Sequence, residues 1–180
     1  MLLAIDPSVN SPGVALFDGD VLIAADRATA PKEWSKLGDG DRWLRVARSI
    51  VLWADTACAQ RIRIVVFERP QWYQRAKSKG DPNQLAGLAG VAGAVTGILG
   101  PHFPTVLSPT PAEWIGQLPK ATRGSAKKSP RAARILSRLG ENELKLVPDQ
   151  HDALDAVGLG LWALGRLTPR RVLSNGRDGR

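Results

Sequence analysis

Cysteine is nearly absent from this chain, and long apolar runs, internal repeats and low-complexity segments are absent altogether. Cys58 is the sole cysteine in 180 residues, which excludes an internal disulfide and any Cys-rich zinc site and suits a reducing compartment. A small core residue is the ordinary role for such a side chain. No apolar stretch reaches the roughly 20 residues needed to span a bilayer, so no membrane role is expected. The N-terminus enters Leu2-Leu3-Ala4-Ile5 without the basic flank of a signal peptide, and the expectation is a soluble, unprocessed, cytoplasmic protein. Acids are also missing locally. Between positions 120 and 138 stand Lys120, Arg123, Lys127, Lys128, Arg131, Arg134 and Arg138 with no Asp or Glu.

What is present is positive charge. Lys and Arg number 25 against 17 Asp and Glu, a net charge of +8, which favours a polyanionic partner. The length fits one domain that buries about 70% of the surface its unfolded chain exposes. Its expected limits are residues 1–165, with 166–180 a basic, mobile tail holding Arg166, Arg170, Arg171, Arg177 and Arg180.

Three strands open the chain. Residues 2–5 are wholly apolar and end at Asp6-Pro7-Ser8; residues 13–17 follow, then the turn signal Asp18-Gly19, then residues 21–25. Helical spacing of Trp43, Val46, Ala47, Ile50, Ala54 and Ala57 predicts a helix over 41–59. The β-rich run 62–67 ends in Glu68-Arg69-Pro70. Asp81-Pro82-Asn83-Gln84 has the form of a helix start, and the helix to about 99 carries Gly87, Gly90, Gly93 and Gly97. Each costs roughly 1 kcal/mol relative to Ala, so close approach of another backbone, a sheet face or a second subunit, is expected. A fifth strand at 105–107 precedes a helix that starts at Ser129-Pro130 and is expected to end at Gly140. A linker through Pro148 leads to a last helix with Asp149 as its N-cap. The order β-β-β-α-β-α-β-α-α predicts an α/β fold with a mixed five-stranded sheet flanked by helices.

Four acids stand out. Asp6 and Glu68 each follow a buried strand, and Asp152 and Asp155 share one face of a late, otherwise apolar helix. Singly, Asp6 suits an ordinary turn, Glu68 a pair with Arg69 or Arg75, and the helical acids a cap or salt bridge. Together they suit an all-oxygen cluster for Mg²⁺, because carboxylates on a core-like helix need a compensating cation. Trp72 and Tyr73 lie among Arg69, Arg75, Lys77 and Lys79, as aromatics do where a protein stacks on unpaired bases while holding phosphates. A surface loop with a buried Trp is the plainer reading.

These motifs resemble the RuvC family of Holliday junction resolvases, within the RNase H-like fold. Leu3-Ala4-Ile5-Asp6-Pro7-Ser8 with Gly13-Val14-Ala15 resembles the family's first hairpin, Phe67-Glu68 its second acid, and Asp152 with Asp155-Ala156 its C-terminal acid pair. Gly124-Ser125-Ala126-Lys127-Lys128-Ser129 resembles the loop bearing an active-site lysine, here Lys128. The resemblance covers residues 2 to about 165. It implies two Mg²⁺ ions, replaceable by Mn²⁺, held by Asp6, Glu68, Asp152 and Asp155. It also implies a homodimer that nicks a four-way junction symmetrically, and the glycine-rich helix 81–99 is expected at or near the dimer interface.

The chain departs from the pattern in places. Ser8 stands where a glycine commonly follows Asp-Pro, and Trp72 and Tyr73 both lie beyond the usual wedge position. The second family lysine has no clear match: Trp114 falls near it and Lys120 is a substitute candidate. His151, beside Asp152, is a metal ligand, a proton shuttle or a first-turn residue. Lys120, Arg123, Lys127 and Arg131 join the aromatic loop as expected DNA contacts. The leading expectation is a Mg²⁺-dependent endodeoxyribonuclease for Holliday junctions or related branched DNA. An RNase H-like nuclease for RNA/DNA hybrids or flaps and a noncatalytic branched-DNA binder are the alternatives.

Overall fold

Strand β1 (Leu2–Asp6) is apolar up to its terminal Asp6 because both of its faces are covered. In the computed structural model, which describes residues 1–28, 30–55, 61–69, 82–99, 105–116, 118 and 125–167, β1 lies at the centre of a five-stranded sheet. The other strands are β2 (Gly13–Asp18), β3 (Val21–Arg27), β4 (Ile64–Phe67) and β5 (Thr105–Leu107), in the order β3-β2-β1-β4-β5. β1 to β3 form an antiparallel meander, while β4 and β5 run parallel to β1. This is the expected mixed α/β sheet.

Alternation along β1 divides the core. Leu2 and Ala4 point to one side with Ala15, Phe17, Val66, Leu154, Val157 and Leu161; Leu3 and Ile5 point to the other with Val14, Val65, Val46, Ile50, Val91 and Val95. The first side is covered by α6 (His151–Ala163) and the second by α1 (Asp39–Asp55) and α2 (Pro82–Leu99). Asp6 keeps the parity of Leu2 and Ala4, and Glu68 that of Val66, so both strand-end acids fall on the α6 side. Shorter helices α3 (Pro111–Trp114), α4 (Pro130–Leu136) and α5 (Glu141–Leu146) close that side. Among the described residues no helix is long and apolar enough to cross a membrane.

Several local expectations change. Gly140 does not end α4, which stops at Leu136; it opens α5, where its N–H is held by Glu143 Oε2 at 2.7 Å. The expected linker thus contains a helix. Asp149 does not cap α6, whose N-cap is Gln150. Arg166, placed with the tail from sequence, pairs with buried Glu143 at 2.9 Å, and Leu167 is buried beside it; residues 168–180 lie outside the described residues. In α2, Gly87 makes room for the Val9 side chain and Gly90 for the Trp43 side chain of α1 rather than for another backbone, and Gly93 and Gly97 are exposed with nothing near an added Cβ. Asp81 and Cys58 lie outside the described residues.

Candidate active site

Gly13 sets the distance between the sheet and α6. It is the β2 partner of Asp6, and a Cβ there would overlap the Asp152 carbonyl, so only glycine lets the first turn of α6 lie on the strand. Asp152 consequently sits over the end of β1. Its Oδ2 accepts a bond from Ser11 Oγ at 3.3 Å. Ser11 is itself set by a tight turn in which Ser8 Oγ accepts the Asn10 and Ser11 N–H groups at 3.2 and 3.1 Å. The start of α6 also places its positive helix end beside Asp152. His151 is the first residue of the helix and half-buried.

Glu68 follows β4, half-buried on the same side as Asp6. Its Oε2 accepts the Trp114 Nε1–H at 2.8 Å. Trp114 is fully buried on α3, whose start is fixed by a reciprocal cap: Glu113 N–H to Thr110 Oγ1 at 3.3 Å and Thr110 N–H to Glu113 Oε2 at 2.7 Å.

Asp155 is 2% exposed, and the cation that its burial demands is Arg131. Arg131 Nη1 lies 3.0 Å from Asp155 Oδ2, while Nε and Nη2 both donate to the Leu118 carbonyl, at 3.2 and 3.1 Å. The guanidinium also stands over the Trp114 ring, 5.6 Å from its centroid. Arg131, an expected DNA contact, has its side chain 14% exposed and makes these bonds to Asp155 and Leu118. A chain Asp155–Arg131–Trp114–Glu68 therefore ties two of the four acids together.

Lys127 and Lys128 occupy a short helical turn, Ala126–Lys128, with Lys128 exposed. Asp149, displaced from its expected cap role, holds this turn: its Oδ1 accepts the Lys127 N–H at 3.0 Å. Hydrogen bonds from Ser125, then from the Lys127 and Ala126 backbone, keep its carboxyl below the usual range. Arg69 is exposed and donates Nε to the Ser108 carbonyl at 3.0 Å. Trp72, Tyr73, Arg75, Lys77, Lys79, Lys120 and Arg123 lie outside the described residues.

The donor chemistry fits hard divalent cations, since four of the candidate ligands, Asp6, Glu68, Asp152 and Asp155, are carboxylates, with His151 the one nitrogen candidate. The side chains are not drawn together: among the described residues no group of three or more His, Cys, Asp or Glu is close enough to hold a metal ion. Glu68 and Asp155 are turned to Trp114 and Arg131. Sequence reasoning missed Ser11 and gave Trp114 and Arg131 other roles. The signal available for Trp114 was its place near the missing lysine.

A mixed five-stranded sheet in this order, with its acid-bearing last helix across the central strand, is the RNase H-like fold. It matches Thermus thermophilus RuvC bound to a Holliday junction substrate, at 17% identity and a TM-score of 0.60, covering 93% of this chain and 97% of that one. It also matches Thermus thermophilus RuvC in a second structure, at 15% identity and a TM-score of 0.53, covering 93% and 98%. The fold is RuvC-like over nearly its whole length. No family model and no curated protein sequence matches the chain.

Proposed function

We propose that the protein is a Mg²⁺-dependent, structure-selective endodeoxyribonuclease that nicks Holliday junctions or related branched DNA. The observation that carries this reading is the close packing of the first turn of α6, which bears Asp152, on Gly13, the β2 partner of the strand-end Asp6, with Glu68 following the parallel neighbour of β1. The fold shared with a RuvC bound to a Holliday junction substrate supports the choice of DNA. Asp6, Glu68, Asp152 and Asp155 would hold two divalent ions, with Mn²⁺ able to substitute. Bound there, such ions stabilise charge on the phosphoryl oxygens and lower the pKa of a water nucleophile. Trp114 and Ser11 orient Glu68 and Asp152 through neutral N–H and O–H donors. Asp155 enters the set with one oxygen already on Arg131. Lys128, exposed on its anchored turn, offers a cation to the phosphate where negative charge develops. Trp72 and Tyr73 are the candidate wedge at the crossover, with Arg69, Arg75, Lys77, Lys79, Lys120, Arg123 and Lys127 on the flanking phosphates.

Symmetric nicking requires two active sites, so we assign a homodimer as the working form. The exposed Gly93 and Gly97 of α2 support that helix as its contact. The test is cleavage of a synthetic four-way junction with Mg²⁺ or Mn²⁺, in competition with RNA/DNA hybrid and flap substrates. Asp6→Asn should lower nicking about a hundredfold or more while leaving junction binding in EDTA intact. Equal nicking by Asp6→Asn and wild type would remove this site assignment, and preference for the hybrid would move the substrate.

A further inference from the structure

On the far side of Ser11 from Asp152 the surface opens into a groove of ≈ 390 Å³, lined by Asn10, Ser11, Arg27, Lys32, Ser35 and Arg42 together with two apolar residues. Three of its lining residues are cations and none is an acid. Asp26, the acid adjacent in sequence, turns its Oδ1 to the Arg27 backbone N–H at 2.7 Å. Arg42 is fixed by Asn10 Oδ1, which accepts its Nη2–H. The groove walls are stitched by backbone bonds from Ala28 N–H to Pro12 O at 2.9 Å and from Ala30 N–H to Asn10 O at 2.7 Å. The Nε groups of Arg27 and Arg42 are buried and have no hydrogen-bond partner among the described residues.

A groove lined by three cations and no acid favours an anion, and a guanidinium fork matches a phosphate's oxygens. Ser11 joins the two places: it lines the groove, and its hydroxyl bonds Asp152. We propose that this groove is a phosphate cradle of the DNA-binding surface, holding a backbone phosphate of the cut strand next to the scissile one. It uses cations distant in sequence from the basic segment 120–138 and from the aromatic loop. The acids repel the strand at the reaction centre, and the cradle anchors it beside them. A phosphate held here fixes the strand's register without reading a base, so the contact is sequence-independent.

The inference rests on the proposed nuclease reading, and the test separates the two. Binding of a synthetic four-way junction in EDTA is measured against salt concentration for wild type, Arg27→Gln, Lys32→Gln and the double variant. Lys32 is exposed on a short helical turn, so its replacement leaves the fold intact; Arg27→Lys, which keeps the charge, controls for the strand position. Each Gln variant should weaken binding about threefold to tenfold and lower the log–log salt slope by about one, with Arg27→Lys retaining the slope. Junctions carrying a single uncharged methylphosphonate near the cleavage point should lose affinity for wild type at one position and lose no more for the double variant there. Unchanged slopes, or additive losses at every methylphosphonate position, would overturn the cradle while junction nicking by wild type left the nuclease reading standing. Wild-type protein that bound the junction with these slopes but nicked nothing in any divalent metal would support the cradle and sink the nuclease.

Discussion

Removing the Arg131 guanidinium tests whether Asp155 has its counter-charge inside the protein. In Arg131→Met a carboxylate that is 2% exposed loses its ion pair at 3.0 Å, and the Leu118 carbonyl loses two donors. Breaking a buried pair from one side costs about 3–5 kcal/mol. The low end applies, because Asp155 keeps at least one further interaction and Met retains much of the stem's packing over Trp114. A loss of about 3 kcal/mol is a large share of a domain's stability and lowers Tm by about 6–12 °C for a chain of this length. The assay is urea and thermal unfolding of wild type, Arg131→Met, Asp155→Asn and the double variant. Removing both charges relieves what removing one creates, so the double variant should be more stable than the sum of the singles by about 1–3 kcal/mol. Millimolar Mg²⁺ should raise the Tm of Arg131→Met more than that of wild type, as a substitute counter-charge. A loss under about 1 kcal/mol, or simple additivity, would refute the ion pair as the support for a buried Asp155.

Two further outcomes are expected. Glu143 is held by Arg166, and by the Gly140 and Leu22 N–H groups against the opposing effect of burial, at a pKa of about 2 instead of 4.5; its contribution is therefore complete above about pH 4.5 and is lost as pH falls toward 2. Wild type should lose about 2 kcal/mol between pH 5 and 3 from this group, and Glu143→Gln, measured by urea unfolding at both values, should lose correspondingly less; parallel losses would refute the assignment. For the dimer, light scattering should give twice 19.4 kDa at micromolar concentration, and Gly93→Arg on the exposed face of α2 should weaken pairing at least about tenfold. A wild-type mass near 19.4 kDa would remove the dimer.

The sheet was legible because its central strand is buried on both faces, which forces an unbroken apolar run at residues 2–5 and another at 64–67. The four candidate acids stand out in the sequence for the complementary reason: each interrupts or ends a segment that otherwise reads as core. What the sequence did not reveal were the partners, which are remote along the chain. Arg131 is 24 residues from Asp155, Trp114 is 46 from Glu68 and Ser11 is 141 from Asp152. Arg131 stood in a dense basic run, where every cation resembled a phosphate contact; only its place on α4 beside buried Ala132 and Ile135 set it apart. Helix α5 is too short to show an apolar period, so Gly140 resembled a stop when it is a start. The glycines of α2 were legible only in part: Gly87 and Gly90 do mark close approach, but of the Val9 and Trp43 side chains rather than a second backbone, and Gly93 and Gly97 have nothing near an added Cβ.

The contacts at the site divide by charge. Trp114 and Ser11 hold Glu68 and Asp152 with neutral donors, which fix a carboxylate's direction without cancelling its charge. Arg131 does cancel charge, but at the buried acid and on the side away from solvent. On the proposed reading, neutral donors of this kind suit carboxylates that are to bind a divalent cation. On the same reading, phosphate, repelled by acids, would be held by cations set apart from them. The exposed Lys128 turn and the Arg27, Lys32 and Arg42 groove are so placed. Asp149 and Asn10 hold the two in their positions, each through a contact that leaves the lysine or guanidinium charge in place. On the proposed nuclease reading, this separation of acids from cations would let one small surface bind both divalent ions and phosphate.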